Sequence, residues 1–221
     1  MKNNRFKKIM SGVFRLSFKE EVFNCVSHGI MALLMLFLIP TCAVYSYAKY
    51  DIIRSVGVSI FTICLFLMFL GSTLYHSMYY SSPQKAVFRI LDHIFIYFAI
   101  AGSYTPIALS LIGGWEGTLI LIIQWTMVLV GILYKSLATN SLPKLSLTIY
   151  LVMGWTAVLF IPLLLRNANI PFLTFIIIGG ILYSIGAVFY AKKNMKYSHV
   201  IWHFFISIAS ITHFIAIVFL M

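Results

Sequence analysis

His199 and His203 stand four residues apart at the start of the last apolar stretch of the chain, and Ser72 and His76 repeat that spacing within the second. On an α-helix, residues i and i+4 lie one turn apart on one face, so each pair points its two side chains the same way. Two imidazoles so placed make a two-ligand clip for a metal ion. A third from another helix, here His76, gives the three-nitrogen set that leaves a fourth position open to water in catalytic zinc sites. Such a metal polarises a carbonyl and brings a bound water to a pKa near 7. Asp92 is then the carboxylate that would hold or deprotonate the water, and Ser72 the hydroxyl that would orient it or an oxyanion. The same histidine pair would equally serve as a hydrogen-bonded contact between helices or as interface residues, and spacing alone leaves both readings open.

The elements that carry these residues are set by hydropathy. The chain of 221 residues is 62% hydrophobic and 10% charged, with a mean hydropathy of +0.99; a soluble domain has about a quarter of its residues charged. Seven apolar stretches read as membrane-spanning helices: 25–48, 56–79, 87–112, 118–134, 145–165, 171–191 and 199–221. Each is near the ~20 residues that cross a hydrocarbon core of roughly 30 Å. The predicted fold is therefore an all-α membrane protein, a seven-transmembrane-helix bundle in residues 25–221, with short Gly-, Pro- or Lys-bearing links and a basic N-terminal segment at 1–24. No internal repeat is evident. The expected location is the cell membrane, multi-pass, with membrane lipid as the partner.

Basic residues set the expected orientation. With the N-terminus in the cytoplasm, thirteen of the 16 Lys and Arg residues lie inside, and only Lys49, Arg54 and Arg166 lie outside. The C-terminus is then external. The net charge of +11 follows from the same bias, so no nucleic-acid partner is called for. The first 19 residues have no apolar core and no cleavage-site pattern, and read as a cytoplasmic anchor in which 9–18 can form an amphipathic surface helix or a solvated tail. Cys25, Cys42 and Cys64 have no CxxC spacing and read as packing residues.

Ionisable groups within a span cost several kcal/mol, about 2.5–3.5 for Asp at a helix centre, so each needs a reason. The second span runs inward and the third and seventh run outward, which puts His76, Asp92, His199 and His203 at one depth near the cytoplasmic face. His28 shares a face of the first span with Glu21 and Asn24, where the three can brace a ligand or serve as caps and interface groups. His93 lies about 100° round its helix from Asp92 and reads as a non-ligand. His213 is ten residues, about 15 Å, beyond His203 and reads as a buried imidazole bonded to a neighbouring helix. Tyr104, Thr105 and Pro106 mark a kink or packing site; Trp115 and Trp125 read as membrane anchors.

Five segments in order carry a resemblance: Glu21-x-x-Asn24-x-x-Ser27-His28, Gly71-Ser72-x-x-Tyr75-His76, Asp92-His93-x-x-Ile96-Tyr97 running on to Ala101-Gly102-Ser103-Tyr104-Thr105-Pro106, Gly154-Trp155, and His199-x-x-Trp202-His203 with His213-Phe214. Over essentially its whole length the chain resembles the hemolysin III branch of the progestin and adipoQ receptor superfamily. The resemblance implies a zinc ion held by His76, His199 and His203, with Ser72 and Asp92 beside it. It departs from the usual pattern at Ser27, where many relatives have Thr, and at Ala209-Ser210, where a Gly is expected. The superfamily is also similar to the alkaline ceramidases, which implies hydrolysis of a lipid amide, or a membrane-homeostasis role using that chemistry. Two readings from other classes stand beside it: a pore-forming cytolysin, as the family name implies, and a small-molecule membrane receptor. A retinal protein is excluded, because the seventh span has no Lys for a Schiff base.

Overall fold

The structure, a computed structural model, describes residues 15–137, 143–192 and 194–221. Lys2, Arg5, Lys7, Lys8 and most of the 9–18 segment, as well as Lys193, lie outside the described residues. Among those residues the chain is all helical, with seven helical stretches long and apolar enough to cross a membrane. They are α1 (Phe18–Lys49), α2 (Ile52–Ser77), α3 (Pro83–Pro106, continued by a π-helical turn over Ile107–Ile112), α4 (Gly114–Leu137), a fifth span built of α5 (Pro143–Trp155), a 3-10 turn (Thr156–Phe160) and α6 (Ile161–Asn167), then α7 (Ile170–Ala191) and α8 (Ser198–Ile215) with a terminal π turn.

The helices begin where their caps dictate. Apolarity places the start of the first span at Cys25, but Ser17 and Glu20 form a capping box, so α1 starts at Phe18 and carries Glu20, Glu21 and Asn24 on regular helix. Asp51 caps α2, Ser82 followed by Pro83 caps α3, and Asn169 followed by Pro171 opens α7. The entry to α8 is different. Tyr197 sits in the left-handed region, at φ 61°, which strains a residue with a Cβ. Its N–H donates to Glu20 Oε1 at 2.9 Å, so the same carboxylate that caps α1 fixes the first turn of α8.

Spans pack largely with their neighbours in sequence, one on two, two on three, three on four and six on seven; the seventh closes back on the first, and the fifth touches the third and sixth. The second, third and seventh are the most buried and the fifth the least. The fifth is also broken. Tyr104 Oη of α3 donates to Gly154 O at 2.6 Å and accepts from Ala157 N at 2.8 Å, satisfying backbone groups released at the 3-10 turn, as an interruption within hydrocarbon requires. Between these spans lies a cavity of about 620 Å³ lined mainly by apolar side chains such as Leu65, Met68, Ile96, Ile100 and Ile206, with polar groups concentrated at the end where α1, α3 and α8 begin.

Candidate metal centre

His76 sits in the last turn of α2 and His199 and His203 in the first turns of α8. One ring nitrogen from each lies within 4.8 Å of the other two, with His76 and His203 buried. The i,i+4 spacing does what the helix repeat requires: the His199 and His203 rings stand with centroids 4.7 Å apart, and His76 approaches them at 5.2 and 4.9 Å.

Each ring has a distinct support. Nδ1–H of His76 donates to Glu21 Oε2 at 2.6 Å, which leaves its Nε2 as the lone-pair nitrogen; that atom is buried and has no hydrogen-bond partner. A carboxylate behind a ligating imidazole fixes tautomer and ring orientation. His203 stacks on His28 with centroids 3.8 Å apart and planes 18° from parallel. His28 is itself wedged edge-on against Phe69, so α1 presses the α8 ring from behind. Of the eleven buried side-chain nitrogen and oxygen atoms without a partner among the described residues, six belong to Asn24, His28, His76 and His203. Buried polar groups are normally satisfied, and the open nitrogens of His76 and His203 fit a bound metal ion. Three neutral imidazole nitrogens in a buried cluster suit a borderline transition metal such as zinc.

Asp92 and Ser72 stand outside the three-histidine group. Both line the cavity that His199 and His203 also line. Gly71 permits the approach of α2 to α3, because a methyl there would run into the Phe95 ring. His93 is set apart: its Nδ1–H donates to Arg89 O at 2.7 Å, and it stands outside the three-histidine group.

Sequence reading missed Lys85. Its Nζ donates to Glu21 Oε1 at 2.8 Å and to the carbonyls of Met78 at 3.1 Å and Tyr75 at 3.3 Å, and only 1% of the residue is exposed. It thus balances the charge of Glu21 and caps the end of α2 just beyond His76. A signal was present. A lysine in the first turn of a helix opposes the helix dipole, so Lys85, two residues after Pro83, called for a specific acceptor.

Residues 16–214 match the family described as haemolysin-III related. The chain belongs to the haemolysin III family. It is 34% identical over 201 residues to Hemolysin-3 of Bacillus cereus, covering 91% of each chain. It is 37% identical over 205 residues to the Hemolysin-3 homolog of Bacillus subtilis (strain 168), covering 91% of this chain and 94% of the relative. The human Monocyte to macrophage differentiation factor is 28% identical over 229 residues, covering 97% and 92%. This haemolysin III member, within the progestin and adipoQ receptor superfamily, is thus a multi-pass membrane protein with a three-histidine group able to hold a metal ion.

Proposed function

We propose that this haemolysin III protein is a zinc-dependent hydrolase of a lipid-borne amide, oriented with its N-terminus in the cytoplasm. The observation that carries the reading is the convergence of His76, His199 and His203 within 4.8 Å at one end of a largely apolar cavity that also exposes Ser72 and Asp92. A Zn²⁺ bound there supplies Lewis acidity toward a carbonyl oxygen and makes water a nucleophile at neutral pH. The apolar cavity holds an acyl chain, and its polar end receives the amide.

The remaining work falls to Asp92 and Ser72. Asp92 takes a proton from the attacking water as the water oxygen bonds to the amide carbon. The Ser72 hydroxyl has one hydrogen, which it gives to the ionised carboxylate; once Asp92 is protonated, Asp92 becomes the donor and Ser72 is released to hydrogen-bond the oxygen on which negative charge collects. When the C–N bond breaks, Asp92 returns its proton to the leaving nitrogen, and a fatty acid and an amine result. Asp92→Asn removes the proton acceptor while keeping shape and the three nitrogen donors.

The family name favours a different expectation, a lytic pore, and one preparation in liposomes separates the two. Fatty-acid release from amide lipids that is lost by at least about 100-fold in Asp92→Asn, with metal content kept, is the expected result. Dye leakage that persists in Asp92→Asn, with no lipid product from the wild type, would replace the hydrolase with the cytolysin. A reporter fused after Met221 that works only in the cytoplasm would reverse the orientation.

A further inference from the structure

Among the described residues, five tyrosines line the cavity: Tyr75, Tyr104, Tyr150, Tyr183 and Tyr190. Three have their hydroxyls bonded within the protein. Tyr104 Oη serves the backbone of the broken fifth span, Tyr150 Oη donates to His93 O at 2.9 Å, and Tyr183 Oη pairs with Ser210 Oγ at 2.7 Å. The other two differ. Neither the Tyr75 nor the Tyr190 hydroxyl makes a hydrogen bond among the described residues, and these are the two whose rings touch imidazoles of the three-histidine group. The Tyr75 ring stands edge-on to His76 with centroids 4.7 Å apart. Tyr190 stands 5.7 Å from His199 and 5.3 Å from Trp202.

A phenol joins an apolar ring to one polar atom, and inside a protein that atom normally finds a partner. Tyr75 is only 8% exposed and lies in the last turn of α2; Tyr190 lies in the last turn of α7, so both stand at the end of the bundle where α8 begins. Packing against an imidazole needs only the ring. The hydroxyls are left to whatever occupies the cavity. At Tyr75 the donor is also strengthened: Nζ of Lys85 lies 4.8 Å from the centre of the ring, and a cation held over a phenol draws electron density from it and sharpens its O–H.

We propose that Tyr75 and Tyr190 are hydrogen-bond donors to the carbonyl oxygen of a lipid held in the cavity, one from α2 and one from α7. A carbonyl oxygen accepts and cannot donate, which is what two free O–H groups suit. Resting on the amide-hydrolase reading, this makes the two phenols catalytic residues. As the attacking oxygen bonds to the amide carbon, the electron pair of the C=O bond moves onto the carbonyl oxygen, and both hydrogen bonds strengthen as that charge grows. Each proton stays on its phenol, so the step needs no further acid or base. Ser72 is released to the same oxygen only after Asp92 is protonated, whereas the phenols meet it from the first encounter.

The test uses the full chain in nanodiscs and a long-chain methyl ketone with an isotopically labelled carbonyl, which has the acceptor oxygen but no amide to cleave. Infrared difference spectra read the bound carbonyl directly, because each donor lowers its stretching frequency. In the wild type the bound ketone is expected to show a band below that of the ketone in lipid alone. Tyr75→Phe and Tyr190→Phe, which keep the rings against His76 and His199, should each move the band part of the way back and weaken ketone binding about fivefold, with metal content unchanged. A wild-type band at the position found in lipid overturns the subsite, and so does a band left unmoved in either variant. Metal lost from a Phe variant overturns it too, because the hydroxyl would then support the imidazole and not the lipid. Where an amide lipid is cleaved, each variant should lower kcat by about 100-fold while KM rises by no more than about fivefold. If the band moves as expected but no amide lipid is cleaved, the subsite stands and the hydrolase reading falls. If both variants cleave the amide at the wild-type rate, the hydrolase stands and the subsite falls.

Discussion

His203 and His213 lie ten residues apart on one helix, both within the bundle, and the fold treats them in opposite ways. His213 has its bond: Nε2–H donates to Ile176 O at 3.1 Å, and the ring lies edge-on to Tyr183 at 5.3 Å, whose hydroxyl is paired with Ser210 at 2.7 Å. That cluster closes on itself. His203 has Nδ1 buried and unpartnered, lies beside two further imidazoles and is backed by a third, His28. A membrane histidine able to serve as a ligand is thus distinguished by the unmet bonding capacity around it, whereas one whose nitrogen already meets a carbonyl of the next helix serves packing.

The strongest way to break this comparison is to remove each ring in turn. His203→Ala should reduce metal affinity by more than about 100-fold, beyond the 10–100-fold typical of losing a supporting group, and should remove the metal-dependent part of thermal stability, since a metal that binds only the folded state stabilises it. His213→Ala should leave one metal per chain. The check is metal content of the purified variants together with thermal melts with and without a chelator. Metal retained in His203→Ala, or lost in His213→Ala, would erase the distinction.

A finer test concerns what holds the ligands in place. If Lys85 acts on His76 through Glu21, then Lys85→Met and Glu21→Gln should each weaken metal binding by about 10–100-fold, and the double variant should be no worse than the more severe single one. Chelator competition with Co²⁺ as a spectroscopic probe reads both affinity and geometry. Losses that add would mean that Lys85 contributes only by capping the end of α2.

The seven helices were legible because hydropathy and length alone set them, and the site was legible in outline because i,i+4 spacing and depth bring His76, His199 and His203 to one end. What sequence reading left out depends on side-chain reach between helices. Nothing in the spacing reveals that Glu21 would turn to His76, that His28 would stack on His203, or that Lys85, Arg89 and Lys135 would fold inward where a basic residue near a span end ordinarily stays in water. The break in the fifth span was hidden for a similar reason. Gly154-Trp155 was visible as a motif, but the hydroxyl that satisfies the opened backbone comes from Tyr104, fifty residues earlier. Ser17 at the head of α1 is in plain view, but its capping box lies ahead of the apolar stretch, which hydropathy alone starts at Cys25.

The smallest expected effect sharpens the comparison from its structural side. Gly179 on α7 faces His213 so closely that an added Cβ would overlap the edge of the imidazole, at Cδ2 and Nε2. Gly179→Ala therefore forces the ring off the Ile176 carbonyl and toward the cavity that it lines. Overpacking of this kind costs about 1–3 kcal/mol, and a buried imidazole nitrogen that loses its acceptor adds to it. The variant should melt earlier while metal stoichiometry and affinity stay as in the wild type, because the displaced ring is about 15 Å along α8 from His203. Coupling between the two, seen as a fall in metal affinity in Gly179→Ala, would mean that α8 transmits strain from its packing histidine to its ligand histidine and that the two ends of the helix do not act separately.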